Sequence, residues 1–217
     1  MHIYKDKSVL LGVLVLAMIV AHASFTSARE KEMVEIAGGE FKSGAALKAI
    51  NVKTFHIDKY EVTQEKIAKS IKDWEIPTGK EDHPATEVTY FDAEAYCKSV
   101  GKRLPTALEW EKAARGDDGR IYPWGNDFDS AKANTVESGA GSTVPVGSFK
   151  SGVSPYGVHD MSGNVWEWVN GWDGNDKKYR IVMGGSFFDN AKNGKVFSVL
   201  KSIPDDSHTY VGFRCAK

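Results

Sequence analysis

Gly157-Val158-His159-Asp160-Met161-Ser162-Gly163-Asn164-Val165-Trp166-Glu167-Trp168-Val169-Asn170-Gly171-Trp172 is the stretch on which the reading of this chain turns. It concentrates three of the six tryptophans, three glycines and two side-chain carboxylates. Asp160 and Glu167 offer hard oxygen ligands, and Gly163 and Gly171 let the backbone turn sharply enough to aim carbonyls at one point. Trp166 and Trp168 alternate with Val165, Glu167 and Val169, so in a strand the two rings share a face. Two readings stand side by side: an oxygen-lined cation site joined to an aromatic core, or a tight turn entering a buried strand.

Outward from that stretch, the N-terminus reads as a processing segment. Lys5 and Lys7 give a basic start, residues 9–20 are an uncharged apolar run, and Ala21-His22-Ala23 is a small-x-small cleavage pattern. A signal peptide is expected over residues 1–23, with a second cut available up to residue 28. The apolar run is too short for a transmembrane span and no cysteine stands at the cleavage point, so no stable membrane anchor is expected. Export to the periplasm or the extracellular space follows. A formal net charge of -1 argues against a nucleic-acid partner. The two cysteines, Cys97 and Cys215, read first as a disulfide in an exported chain, the alternative being two free thiols outside any Cys-x-x-Cys spacing.

The remaining residues suit one domain of mixed α and β structure. Strands are expected at 33–36 and 52–57, and Thr63 caps a helix running to about Lys72. Thr89 with Asp92 and Thr106 with Glu109 form capping boxes for two more helices, ended by Gly101 and Gly116. These acids are therefore read as caps rather than catalysts. Beyond Arg115 the pattern becomes turn-rich, with short strands expected at 144–146, 165–169, 181–183 and 211–215. A loop-heavy second half calls for staples, which a disulfide and a bound cation would supply.

Seven motifs occur in order: His83-Pro84-Ala85-Thr86-Glu87-Val88, Lys102-Arg103-Leu104-Pro105-Thr106, Glu109-Trp110-Glu111-Lys112-Ala113-Ala114-Arg115-Gly116, Tyr122-Pro123-Trp124-Gly125, Gly163-Asn164-Val165-Trp166-Glu167-Trp168, Gly184-Gly185-Ser186-Phe187 and Gly212-Phe213-Arg214. The series resembles the formylglycine-generating enzyme, or sulfatase-modifying factor, family over nearly all of residues 29–217. The resemblance implies that family's variant of the C-type-lectin-like fold, α+β and loop-rich. It also implies that Cys97 and Cys215 form the family's structural disulfide.

Enzymatic members carry a cysteine pair after Gly-Gly-Ser whose thiolates bind copper(I) and activate oxygen, converting a sulfatase cysteine to formylglycine. Here the matching positions are Asp189 and Gly194. Copper is therefore not expected, and neither is formylglycine generation by that chemistry. The iron-dependent sulfoxide synthases resemble only the C-terminal half, and His56, His83, His159 and His208 show no ligand spacing.

The family's calcium site maps onto Asp160, Gly163, Val165 and Glu167, so calcium is the expected cofactor. A second family site would begin at Asn134 and Thr135, but its later half falls in a shorter loop without an aspartate, and Glu137 is not expected to replace it. Trp166, Ser186, Phe187, Phe188, Asp189, Asn190 and His208 are expected to line a ligand groove. The resulting expectation is an exported, non-catalytic binding or accessory module, a pseudoenzyme in its family, with a peptide, a glycan or an envelope protein as partner. The rival readings are an oxidoreductase with a different metal centre and a structural subunit of an envelope or extracellular assembly.

Overall fold

A computed structural model describes residues 32–217. The expected leader, residues 1–23 with cleavage up to residue 28, lies outside the described residues. Val34 to Lys217 form one compact unit.

Three small sheets and three short helices make up this unit. β1 (Met33–Ile36) lies beside β4 (Phe55–Asp58), and β2 (Gly39–Ser43) pairs antiparallel with β3 (Lys48–Val52). The expected strand at 52–57 is therefore divided between β3 and β4. Lys53 and Thr54 break it, and the Thr54 hydroxyl accepts from Gly38 N at 3.0 Å. Helix α1 (Gln64–Ala68) is capped by Thr63 as expected but stops well short of Lys72. Trp74 Nε1 donates to Gln64 Oε1 at 2.8 Å, which folds the following chain back over the helix instead of extending it.

Helices α2 (Tyr90–Ser99) and α3 (Ala107–Arg115) both carry the complete capping boxes read from Thr89/Asp92 and Thr106/Glu109. Each box satisfies two of the backbone donors that a helix start leaves free. Gly116 ends α3 at a positive φ of 72°, where a glycine carries no Cβ penalty.

The main sheet has the order β7-β6-β5-β8, from β5 (Trp166–Asp173), β6 (Tyr179–Met183), β7 (Val199–Ser202) and β8 (Val211–Gly212). β5 pairs antiparallel with β6 and parallel with β8, and β6 pairs antiparallel with β7. Alternation along β5 sorts the interior into two cores. Trp166 and Trp168 enter one with Val62, Ile67, Tyr90 and Phe213. Val169 enters the other with Trp110, Ala113, Met161 and Met183. No strand forms at 144–146: Val144 N donates to Asn164 Oδ1 at 3.0 Å and Val146 N to Asp82 O at 2.9 Å, so loop partners satisfy the backbone there.

Cys97 of α2 is bonded to Cys215, 118 residues later, with Cα atoms 5.6 Å apart. The terminal segment is also tied by backbone hydrogen bonds, Asp58 N to Cys215 O at 2.8 Å and Arg103 N to Ala216 O at 2.9 Å. No helix among the described residues is long and apolar enough to cross a membrane.

Candidate functional site

The loop before β5 is bent by three left-handed residues, Asp160 (φ 57°), Gly163 (φ 81°) and Asn164 (φ 64°). At Gly163 a Cβ would run into the Asn134 backbone, so the position demands glycine. Asp160, within that bend, and Glu167, beyond it, are both buried and close enough to interact electrostatically. The same region also gathers Glu61, Asn164 and Arg214, which the sequence reading assigned no role.

Glu167 and Arg214 are both fully withdrawn from solvent. Arg214 Nε donates to Glu167 Oε2 and Nη2 to Oε1, each at 2.7 Å. Trp110 Nε1 donates to Oε2 at 2.8 Å. Oε2 thus has both lone pairs engaged, and Oε1 keeps one. Asp160 Oδ2 accepts from Gly147 N at 2.6 Å, and Asn164 Nδ2 donates to Glu61 Oε1 at 3.1 Å.

Burial, then the neighbouring Asp160 and Glu167, push the Glu61 carboxyl well above the usual range, against the pull of Arg214. Burial also raises Asp160, against the Gly147 hydrogen bond and Arg214. Burial opposes charge on Arg214, yet the three carboxylates hold its pKa above the ordinary value. One buried guanidinium facing three carboxylates leaves an excess of two negative charges when all are ionised.

A bound hard cation would have to offset that excess. The oxygens expected to hold it are those of Asp160 and the remaining Glu167 lone pair, with the Gly163 and Val165 carbonyls. Among the described residues no group of three or more His, Cys, Asp or Glu side chains is placed to hold a metal ion.

The second expected set is occupied by a hydroxyl. Ser138 Oγ lies 3.1 Å from Asn134 Oδ1 and 2.8 Å from the Thr135 carbonyl, the two oxygens assigned to a cation. Glu137 points elsewhere, accepting from Thr135 Oγ1 at 2.7 Å and Ala191 N at 2.8 Å.

Several of the residues expected to line a groove meet at Asp189. Its Oδ2 accepts from Ser186 Oγ at 2.5 Å and Trp166 Nε1 at 2.8 Å, and its Oδ1 from Asn193 Nδ2 at 2.6 Å. Asn190 Oδ1 instead closes a turn by accepting from Lys192 N at 3.1 Å. Phe188 is 73% exposed and stacks on Tyr210 at 6.3 Å, which stacks on His208 at 5.1 Å. Phe187 meets Phe188 edge-on at 6.5 Å. The result is a three-ring ladder of Phe188, Tyr210 and His208 beside a fixed carboxylate. Gly194 is buried, and a Cβ there would lie 2.8 Å from Ser162 Oγ, which itself donates to Gly194 O at 2.7 Å.

A cavity of about 710 Å³ lies elsewhere and is lined by none of these residues. Leu47, Ile121, Trp124 and Phe197 line it, and its arginines are already paired, Arg115 with Glu111 and Arg120 with Asp118.

The model of the sulfatase-modifying factor enzyme 1-like domain matches residues 21–217. The chain belongs to this family. Among curated relatives, the inactive C-alpha-formylglycine-generating enzyme 2 of Bos taurus is 36% identical over 167 residues, 66% of this chain and 55% of the relative. The formylglycine-generating enzyme of Streptomyces coelicolor is 34% identical over 171 residues, 64% of this chain and 54% of the relative. The chain thus spans about half the length of these relatives, and active and inactive ones lie at similar distance.

Among solved structures, Treponema denticola variable protein 1 superimposes with a TM-score of 0.75 at 21% identity, covering 85% of this chain and 94% of that one. PvdO from Pseudomonas aeruginosa gives 0.69 at 24%, covering 85% and 93%. The family's fold, α+β and C-type-lectin-like, is therefore the fold of this chain.

Proposed function

We propose that this chain is an exported, non-catalytic member of its family that binds a ligand or protein partner in the groove beside Ser186 and Asp189. The observation that carries the proposal is the pair of residues at the positions of the family's copper-binding cysteines. Asp189 offers hard oxygens already engaged by Ser186, Trp166 and Asn193, and copper(I) requires soft thiolates. Gly194 has no space for a side chain while Ser162 keeps its hydrogen bond. The similarity to a relative named as inactive supports the same reading.

The ladder Phe188, Tyr210 and His208 supplies stacking area, and the Asp189 cluster supplies orientation, a combination suited to a glycan or a peptide. Calcium held by Asp160, Glu167 and the Gly163 and Val165 carbonyls would brace the loop that presents Trp166. The Cys97–Cys215 disulfide supports export to an oxidising compartment.

Two measurements test the proposal. Purified protein loaded with copper(I) and given a sulfatase-type cysteine peptide in air should leave the peptide mass unchanged; formylglycine formation would overturn the non-catalytic reading. A glycan array and a peptide library probed with wild type and Phe188→Ala should show retention that the substitution removes. Equal retention by both proteins would exclude the groove.

A further inference from the structure

Arg180 stands apart from both the groove and the carboxylate cluster. It lies in β6 directly across from Trp172 of β5 and Ser202 of β7. Two residues further on, Val182 is buried in the core that contains Trp168 and Tyr90. Arg180 therefore sits where the apolar face of the sheet runs out.

Its guanidinium carbon is 3.6 Å from the centroid of the Trp172 ring and 3.8 Å from that of Tyr90. Two aromatic faces thus cover the two faces of the planar cation, which is fixed as if for recognition. Arg180 stays partly exposed, so the outer N–H donors of the guanidinium can meet a ligand.

The charge is not neutralised by its neighbours. Glu94 pairs with Lys98 at 2.8 Å, and Asp173 pairs with Lys201 at 2.6 Å. Arg180 Nε is buried without a hydrogen-bond partner, one of two such side-chain atoms among the described residues. An unpaired buried donor is a cost to the folded state and calls for an explanation. Burial accordingly lowers the Arg180 pKa, against Tyr90 and Glu94. The rim adds an apolar neighbour: Phe91 is 48% exposed and meets Tyr90 edge-on at 5.7 Å.

We infer that the edge of Arg180, clamped between Tyr90 and Trp172, binds a carboxylate carried on an apolar or aromatic body. An oxyanion at the outer nitrogens would compensate the charge whose inner donor the fold leaves unpaired, and the planar fork matches a planar carboxylate. A single guanidinium edge offers one positive charge, which matches a monoanion better than a phosphate dianion. The exposed Phe91 ring favours a body that buries apolar area.

Nitrogen-15 NMR titration of the full chain tests this. N-acetyl-phenylalanine should shift the Trp172 indole and Arg180 side-chain resonances saturably, and its uncharged amide should not. Acetate should act at the same resonances more weakly. The amidated dipeptide N-acetyl-Phe-Glu-amide distinguishes a side-chain carboxylate from a main-chain one, and binding of either supports the site. Arg180→Gln should abolish the shifts, and Arg180→Lys should weaken binding about tenfold. Equal shifts in Arg180→Gln, no saturable shift in wild type, or phosphate matching N-acetyl-phenylalanine would overturn the assignment. The comparison of acid with amide uses wild-type protein alone, so it decides the question even where a variant does not fold.

Discussion

Arg214 meets Glu167 end to end inside the protein, through two hydrogen bonds of 2.7 Å, with neither side chain reaching solvent. The pair joins the last motif of the chain to the strand that divides its two cores. Removing either partner breaks a buried ion pair, which typically costs about 3–5 kcal/mol. Arg214→Met and Glu167→Gln should each lower stability by that order in urea denaturation. The double variant should lose less than the sum of the two. Strict additivity would show that the residues are not coupled.

The proposed calcium at Asp160 makes a separate prediction. If the excess negative charge around Glu61, Asp160 and Glu167 is balanced by the metal, a chelator should lower the Tm. Asp160→Ala should reproduce that shift and make the variant insensitive to the chelator. Calorimetry with and without added calcium is the measurement. An unchanged wild-type Tm in chelator would remove the metal from the account.

Glu109 gives a pH prediction whose sign is fixed by its partners. Burial opposes its ionisation, but Arg103, which donates to both oxygens at 2.7 Å, and the Thr106 hydrogen bonds outweigh burial and hold the pKa below its ordinary value of about 4.5. A depressed folded-state pKa stabilises the protein above the unfolded value and loses that contribution as pH falls through the folded one. Glu109→Gln should therefore be less stable than wild type by about 1 kcal/mol at neutral pH, after allowance for the partly exposed Arg103. The gap should narrow progressively below about pH 4.5, as denaturation curves recorded across pH would show. A gap that stays constant down to acid unfolding would mean that the carboxylate charge contributes nothing.

Gly194 bears on whether the copper site can be restored. A Cβ at this position meets Ser162 Oγ at 2.8 Å, in a segment held by its own hydrogen bonds, so Gly194→Ala should destabilise by about 1–3 kcal/mol. Asp189→Cys with Gly194→Cys should then bind copper(I) poorly. Adding Ser162→Gly should relieve the crowding and recover stability. Thermal melts and a copper(I) competition assay check both expectations. A double cysteine variant as stable as wild type would show that the segment yields more easily than its contacts indicate.

Sequence by itself determined the features governed by local chemistry. Thr89 with Asp92 and Thr106 with Glu109 announce their helices because a capping box is complete within four residues. The alternation of Trp166, Trp168 and Val169 places them on opposite faces of β5 because side chains in a strand alternate. The ordered motifs identified the family, and the two cysteines left one intrachain pairing.

Tertiary structure alone decided what depends on distant partners. Glu61, to which local spacing assigns no role, is a buried acid that accepts from Asn164, 103 residues away. Arg214 was legible as a motif residue but not as the partner that takes three of the four lone-pair sites of Glu167 together with Trp110. Val144 to Val146 has strand composition yet stays a loop, since Asn164 and Asp82 satisfy its backbone. The stretch from Gly157 to Trp172 displayed its carboxylates and rings openly. Their neighbours are set by chain segments that no local spacing encodes, and those neighbours fix which oxygens remain free and which ring faces are covered.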